Sequence, residues 1–441
     1  MTFVYFLLKR YWRISLVATI VITSFIVMKS FTQRINHIQN ALARRIYYSL
    51  NAAEVKDIPT QNPIFRAMDS RNKLYLTSIY LDPDFRTIRI FVLKHTQVKA
   101  SFECLLKDEK YGEYTITATP LKYNTIYAGI YRGCITFCKI PTPIQPGILL
   151  RIKKVDGTKD DPIVSDQIAP GLPPLDDTRP KMSHVFGLCL TAVFNSQSYS
   201  ADFLIEYLEL HRKLGLSFIA IYAAEEFAPV MKRVLQSYTA HPVMNGNQSF
   251  VIQVVNWILP IANASQNTWY HEQTLSQNDC LHRFGGEVEY LLNTDLDEIL
   301  IPSVSNNEQL PTWYALLPGL EAAYSKSQTI CFPAIFFPPT NNKTGSTDSI
   351  FARQIATVEA YPERAKCMIR SGFVSEAYVH VPVVPPAYRL APDLAVIFHY
   401  RTCLRLGYKP CDHTTQYAVN ARLEAYRQAV KQEVQYRTLM L

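Results

Sequence analysis

The sequence predicts an α/β protein: a mostly parallel sheet with helices on both faces, preceded by a small antiparallel β domain and an N-terminal transmembrane helix. Three observations carry that prediction. From Val185 onward, short apolar β-prone runs alternate with helical patterns, the signature of βαβ units. Between Tyr75 and Lys154, β-rich runs follow one another with only turn residues between them. Near the start, Ile14 to Met28 is an unbroken uncharged run.

That first run has fifteen residues, shorter than the ~20 of a full span. Tyr11-Trp12 precedes it at interfacial position, Lys29 can snorkel, and Phe31 extends the apolar stretch. A signal anchor over residues 14–31 is therefore expected, with a cytosolic tail at 1–13. No small-x-small cleavage site follows Met28, which argues against a cleaved signal peptide. Residues 32–70 are polar, carry Pro59 and Pro63, and read as a stem. Residues 71–155 hold the β-rich runs, among them LYLTSIYL, TIRIFVL and YTITATPL, and read as a small antiparallel accessory domain, for which packing against the α/β domain is the commoner role and carbohydrate binding the alternative. Residues 156–184, with Asp156-Gly157 and Pro162, Pro170, Pro173, Pro174 and Pro180, read as a linker. Residues 185–441 remain for the α/β domain.

The net charge of +8 is local. Residues 1–50 carry Lys9, Arg10, Arg13, Lys29, Arg34, Arg44 and Arg45 and no acid, which leaves the rest near +1. The excess flanks a membrane segment, and no pattern supports a nucleic-acid partner. All nine cysteines follow residue 100. Cys134 and Cys138 have near-metal spacing, but no second pair or histidine cluster completes a zinc site. Disulfides formed in an oxidising lumen are expected instead, with connectivity open. Sequons at Asn247, Asn263 and Asn342 agree with a luminal body.

Within the α/β part, VFGLCLTAV reads as the first buried strand. Ser200 is placed to cap a helix from Ala201 to Leu214, whose apolar face is Phe203, Leu204, Tyr207, Leu208 and Leu214. Gly215 stops that helix, and FIAIY (218–222) is the next strand. A helix near 229–238, a strand at 250–255 and a helix over 269–284 follow. Val288 to Asn293 is then a buried strand leading into Thr294-Asp295-Leu296-Asp297-Glu298. An extended link there would put Asp295 and Asp297 on one face, beyond the carboxyl end of the strand. Open sheets of this type bind ligands at that edge. Paired carboxylates there suit a hard divalent cation that also holds phosphate oxygens.

Three stretches make the pattern more specific: Asp295-Leu-Asp-Glu298, the upstream Gln273-Thr-Leu-Ser-Gln277-Asn-Asp279-Cys-Leu-His-Arg283, and Phe398-His399-Tyr400-Arg401. With Leu188-Cys189-Leu190, the helix from Glu206 through Glu209 and His211 to Gly215, Lys366 to Arg370, and Val379-His380, the chain resembles glycosyltransferase family 92 over about Val185 to Leu406. Ile299 departs from the Phe more usual after Asp-Glu in the family.

The resemblance implies a glycosyltransferase A type domain that moves galactose from UDP-galactose onto a glycan of a glycoprotein or glycolipid, with inversion, at a Golgi membrane. Mn²⁺ or another divalent cation would be held by Asp297 and Asp295, with His399 completing the shell, and Asp295 has the alternative of contacting the nucleotide ribose. Gln277, Asp279 and Arg283 share one helix, where Asp279 and Arg283 are spaced to pair and to orient the donor. Lys366 and Arg370 are candidates for the diphosphate oxygens. An inverting reaction needs a carboxylate base, for which Glu376 is named ahead of Asp393 and Asp348. Two alternatives stay open: the same fold using another UDP-hexose, and a non-catalytic glycan-binding scaffold.

Overall fold

The computed structural model describes residues 60–61, 65–108, 112–123, 129–155, 161–172, 182–240, 243–245, 248–303, 311–324, 329–338, 349–380, 388–401, 415–420 and 422–438. The expected tail and membrane anchor, and most of the stem, lie outside these residues. Among the described residues no helix is long and apolar enough to cross a membrane. Everything described from Thr60 to Arg437 belongs to one unit.

The β-rich segment forms two antiparallel layers around its own core. Strands β1 (Leu74–Leu81), β2 (Thr87–His95) and β5 (Tyr131–Lys139) pair in the order β1-β2-β5. The second layer runs β7-β6-β3-β4, from β3 (Phe102–Asp108), β4 (Gly112–Thr117), β6 (Leu149–Lys154) and β7 (Val164–Gln167). Leu76, Ile90, Val92, Phe102, Cys104, Leu150 and Ile152 interdigitate between them, and a Cys104–Cys138 disulfide joins the layers. The expected linker is partly structured: β7 and the pair Ala169–Pro170 are strands of this module. Pro170 lies on an edge strand, where a missing N–H costs no ladder bond.

The large sheet begins with four parallel strands: β8 (His184–Val193), β9 (Phe218–Ala223), β10 (Gln248–Asn256) and β11 (Val288–Thr294), in the order β10-β9-β8-β11. The near-continuous burial of β8, β9 and β11 is what a sheet covered on both faces requires. Gly187 in β8 is needed for close approach, because a Cβ there would meet Val288 at 2.7 Å. Helix α1 (Ala201–Lys213) starts at Ser200, whose side chain accepts from Phe203 N, and stops before Gly215 at φ +100°. Helices α1 and α2 (Pro229–Ala240) cover one face with Phe203, Leu204, Leu208, Met231 and Val234. Helix α3 (Gln273–Phe284) covers the other with Leu275, Leu281 and Phe284, beside Tyr75, Tyr80 and Phe91 of the β module. A Cys189–Cys280 disulfide fastens α3 to β8.

Beyond β11 the sheet becomes mixed, continuing β14-β13-β15-β12 from β12 (Glu298–Pro302), β13 (Thr329–Phe336), β14 (Tyr361–Arg370) and β15 (Ala395–His399). Strand β12 thus follows β11 in sequence but lies at the far edge of the path. Four strand spacings are about 19 Å in a flat sheet, whereas the link from Thr294 to Glu298 reaches only ~14 Å. The mixed half must therefore curl. That curl returns β12 and its partner β15 to the carboxyl end of β11.

Candidate active site

Asp295, Leu296 and Asp297 connect β11 to β12. In place of the expected extended link, they form a turn. Glu298 N–H donates to the Asp295 carbonyl at 3.1 Å, and Asp295 N–H donates to the Glu298 carboxylate at 3.0 Å. Consequently the two aspartates do not share a face. Asp295 accepts from Lys366 Nζ at 3.2 Å and from the Gln273 amide, while Asp297 approaches His399 Nε2 at 3.5 Å. A turn satisfies the backbone where two buried strands meet, which the strand pattern on either side did not signal.

Register brings the partners in. Strand β14 runs antiparallel to β11 with Met368 opposite Leu292, so Lys366 falls level with Thr294. Its ammonium is completely buried and lies 3.2 Å from Asp295 and 3.2 Å from Glu298. In the curled half, His399 pairs with Glu298 on one side and Phe336 on the other, and its ring stacks on Phe336 at 5.2 Å. His399 Nδ1 stands 3.4 Å from Glu298 Oε1. Neither ring nitrogen completes a hydrogen bond, and Glu298 Oε1 also lacks one.

Groups of opposite charge lie side by side in this cluster. Burial pushes the Asp297 carboxyl up, but His399, Arg401 and Lys366 outweigh it and hold the group below its ordinary value. For Glu298, burial wins over Lys366 and the carboxyl is raised. Burial pulls Lys366 down, yet Asp295 and Glu298 more than compensate, and it stays cationic. The arrangement is thus one carboxylate pair locked on an ammonium, and a half-buried Asp297 facing a histidine with open nitrogens.

The structure places the other sequence-predicted residues elsewhere. Asp279 is completely buried and accepts from Arg283 at 2.9 and 3.1 Å, Tyr222 at 2.6 Å and Tyr80 at 2.7 Å. It is a node joining α3, β9 and the β module, with its lone pairs used. Gln277 is fully buried, its amide atoms without hydrogen-bond partners. Arg370, four residues along β14 from Lys366, pairs with Glu289 at 3.0 Å, opposite Tyr290 and away from the carboxyl end of β11. Glu376 pairs with Lys122 at 3.0 Å and Arg89 at 3.8 Å, both on the β module. Among the described residues it makes no hydrogen bond or ion pair with the Asp295–Asp297 cluster. Asp393 pairs with Arg389 at the surface, and Asp348 lies outside the described residues. Glu206 accepts from Ser349 and Ile350 N, both at 2.7 Å, and so supports a loop.

From the sequence, Glu298 stands out only as one of three neighbouring carboxylates, and Gln273 only as the start of a motif stretch. Gln273 opens the Gln-Thr-Leu-Ser-Gln stretch, and only the fold shows that it reaches Asp295. The helix expected from 269 begins at Gln273; Tyr270, His271 and Glu272 before it have left-handed φ of 44°, 51° and 58°.

Among the described residues no group of three or more His, Cys, Asp or Glu is arranged to hold a metal ion. Asp297 and His399 nevertheless fit as two donors. One is an anionic oxygen held ionised, and the other an imidazole with open nitrogens.

An α/β sheet that gathers carboxylate, imidazole and ammonium groups at the carboxyl end of its parallel strands is the architecture of a ligand-binding or catalytic domain. The profile of glycosyltransferase family 92 matches residues 184–435, more than half the chain, and the protein belongs to that family. Membership points to a glycosyltransferase that uses a nucleotide sugar and a glycan acceptor. No match was found among curated proteins. Solved structures with some likeness include a cyclomaltodextrinase (11% identity, 36% of this chain and 34% of that chain, TM-score 0.16). Another is the amylomaltase from Corynebacterium glutamicum (17% identity, 34% of this chain and 22% of that chain, TM-score 0.13). The chain spans about a third or less of those proteins, and likenesses this slight carry no argument.

Proposed function

We propose that the protein is a metal-dependent, inverting glycosyltransferase of the A type, moving galactose from UDP-galactose onto a glycan of a glycoprotein or glycolipid. The observation that carries the reading is the Asp297–His399 pair, set beside Asp295 and Glu298, which share the Lys366 ammonium, at the carboxyl end of β11. Glycosyl transfer requires that a departing diphosphate be neutralised and that the acceptor hydroxyl lose a proton. Asp297 and His399 would hold Mn²⁺ or another divalent cation, which supplies positive charge to the diphosphate when bound. Lys366 offsets part of the charge of Asp295 and Glu298, which leaves Asp297 as the carboxylate that would face an incoming cation. Asp295, at the rim and bound to Gln273, would accept from a ribose hydroxyl. The ion pairs of Glu376 favour a role in clamping the β module over one as base.

The donor and the Golgi address rest on the family. Three disulfides among the described residues support an oxidising compartment. The test is the thermal stability of the full-length chain with a panel of nucleotide sugars, with and without Mn²⁺. A Mn²⁺-dependent rise with UDP-galactose that is lost in Asp297→Ala would support the reading. A rise with a different nucleotide sugar would reassign the donor. No rise with any of them, from folded protein, would favour a non-catalytic glycan-binding scaffold.

A further inference from the structure

Non-glycine residues with left-handed backbone concentrate at one edge of the large sheet: Ala192 and Asn195 at the end of β8, and Tyr270, His271 and Glu272 in succession before α3. L residues avoid this conformation, and strain of this kind persists only where surrounding contacts over-determine it. Those contacts are present. Trp257 Nε1 donates to the His271 carbonyl at 3.0 Å. The buried Glu272 carboxylate accepts from Gly133 N of β5 at 2.8 Å, which ties the turn to the β module. Gln273, the next residue, is bound to Asp295.

The turn presents rings. His271 stacks on Phe194 at 4.9 Å and 29°, Tyr270 lies 6.0 Å from Phe194, and Trp269 lies 4.7 Å from Tyr270. Tyr270 is 39% exposed, although a buried position would be usual for a ring held this firmly. Phe194 follows the end of β8, and Glu225, which accepts from Ser196 N at 2.7 Å, follows the end of β9. Strands β8 and β9 lie one and two spacings from β11, about 5 and about 10 Å across the sheet. The order β10-β9-β8-β11 reverses direction between β8 and β11, the kind of switch point at which open α/β sheets bind nucleotides.

We propose that Tyr270, backed by Phe194 and His271, is a stacking platform for the base of the nucleotide donor, and that Glu272 is the positioning residue that locks this platform to the β module. The proposal rests on the nucleotide-sugar reading above. A ligand whose diphosphate meets Asp297 and His399 then extends over the ends of β8 and β9, where its flat ring finds the exposed tyrosine. The β module gains a task by this route: Gly133 holds the turn that holds the ring.

The test titrates the full-length chain with two probes in the presence of Mn²⁺, UDP and inorganic pyrophosphate. Pyrophosphate has no base, so it reads the Asp297–His399 end alone. Tyr270→Ala is expected to weaken UDP by about tenfold to a hundredfold while leaving pyrophosphate unchanged, and Tyr270→Phe to restore it. Glu272→Ala is expected to reproduce the selective loss of UDP, and Glu272→Gln, which keeps an acceptor for Gly133 N, to recover it. UDP affinity unchanged in Tyr270→Ala, or both probes weakened equally, would overturn the platform while the donor reading stands. Wild-type protein that binds neither probe would overturn the donor reading and the platform with it.

Discussion

The Lys366 ammonium lies 3.2 Å from the Glu298 carboxylate, and both side chains are completely removed from solvent. Strand β14 supplies the cation and the first residue of β12 supplies the anion, and the two strands are not neighbours in the sheet. The pair therefore exists only because the mixed half of the sheet curls. Lys366→Met would leave two carboxylates facing each other without a cation. A loss of about 3–5 kcal/mol in unfolding free energy is expected, measured by urea denaturation. Lys366→Arg should recover little of it, since a guanidinium does not fit a site closed around an ammonium.

Asp297 and His399 are predicted to act on ligand binding more than on folding. Asp297 is partly exposed, and His399 makes no hydrogen bond through its ring. Asp297→Asn and His399→Gln should change the melting temperature of the free protein little, and should abolish the Mn²⁺-dependent stabilisation by UDP. At a ligand concentration of 100 Kd that stabilisation is about 2.7 kcal/mol in the wild type, ample to be read in a thermal scan.

Asp279 separates a structural role from a donor-binding one. Burial pushes its carboxyl up, but Arg283 and the Tyr222 hydroxyl hold it below the ordinary value. Asp279→Ala would strand the Arg283 charge and two buried hydroxyls, with an expected loss of about 3–5 kcal/mol. The Michaelis constant for the donor in whatever folded fraction remains should match that of the wild type. A raised constant with undiminished stability would reverse that assignment.

Glu376 carries a similar contrast. Glu376→Gln removes its ion pairs to Lys122 and Arg89, and is expected to lower stability by about 1–3 kcal/mol. The pH dependence of the transfer rate should keep its shape and the rate itself stay within about threefold. A loss of a hundredfold or more, with the acidic limb of the pH profile removed, would restore Glu376 as the base.

Glu272 makes stability depend on pH in a stated direction. Burial pushes its carboxyl from 4.5 up to about 8, against the Gly133 N–H and the Arg132 charge. Cys134 also feels this carboxyl when it ionises. The folded protein therefore keeps a proton that the unfolded chain has already released. The contribution of Glu272 is fully present below pH 4.5 and falls as pH rises through about 8. Glu272→Gln, which is neutral throughout, should lack this decline. Unfolding free energies of the two proteins compared across pH 4.5–8 check the sign.

The elements that local chemistry specifies were legible in the chain. Ser200 and Gly215 bound α1 because one has a side-chain acceptor for a free helix N–H and the other tolerates φ of +100°. The buried runs of β8, β9 and β11 announced a parallel sheet because both of its faces are covered. The motif stretches around Gln273, Asp295 and His399, far apart in sequence, are brought together by the fold. Their roles within the site were less legible. Asp279 and Arg283 pair as their spacing allows, but the hydroxyls of Tyr80 and Tyr222, far away in sequence, make the pair a buried node.

By itself the sequence determined the order of strands and helices from Val185 to Asn293, the family, and which short stretches bear charge among apolar neighbours, since caps, glycines and periodicity act within a few residues. The tertiary structure alone decided that Asp295 and Asp297 turn to different partners, and that Lys366 joins the cluster while Arg370 and Glu376 do not. It alone decided, too, that three residues before α3 adopt left-handed backbone. Those outcomes depend on register and on the curl of the sheet, which are set by packing between strands distant in the chain and leave no local mark at the residues they bring together.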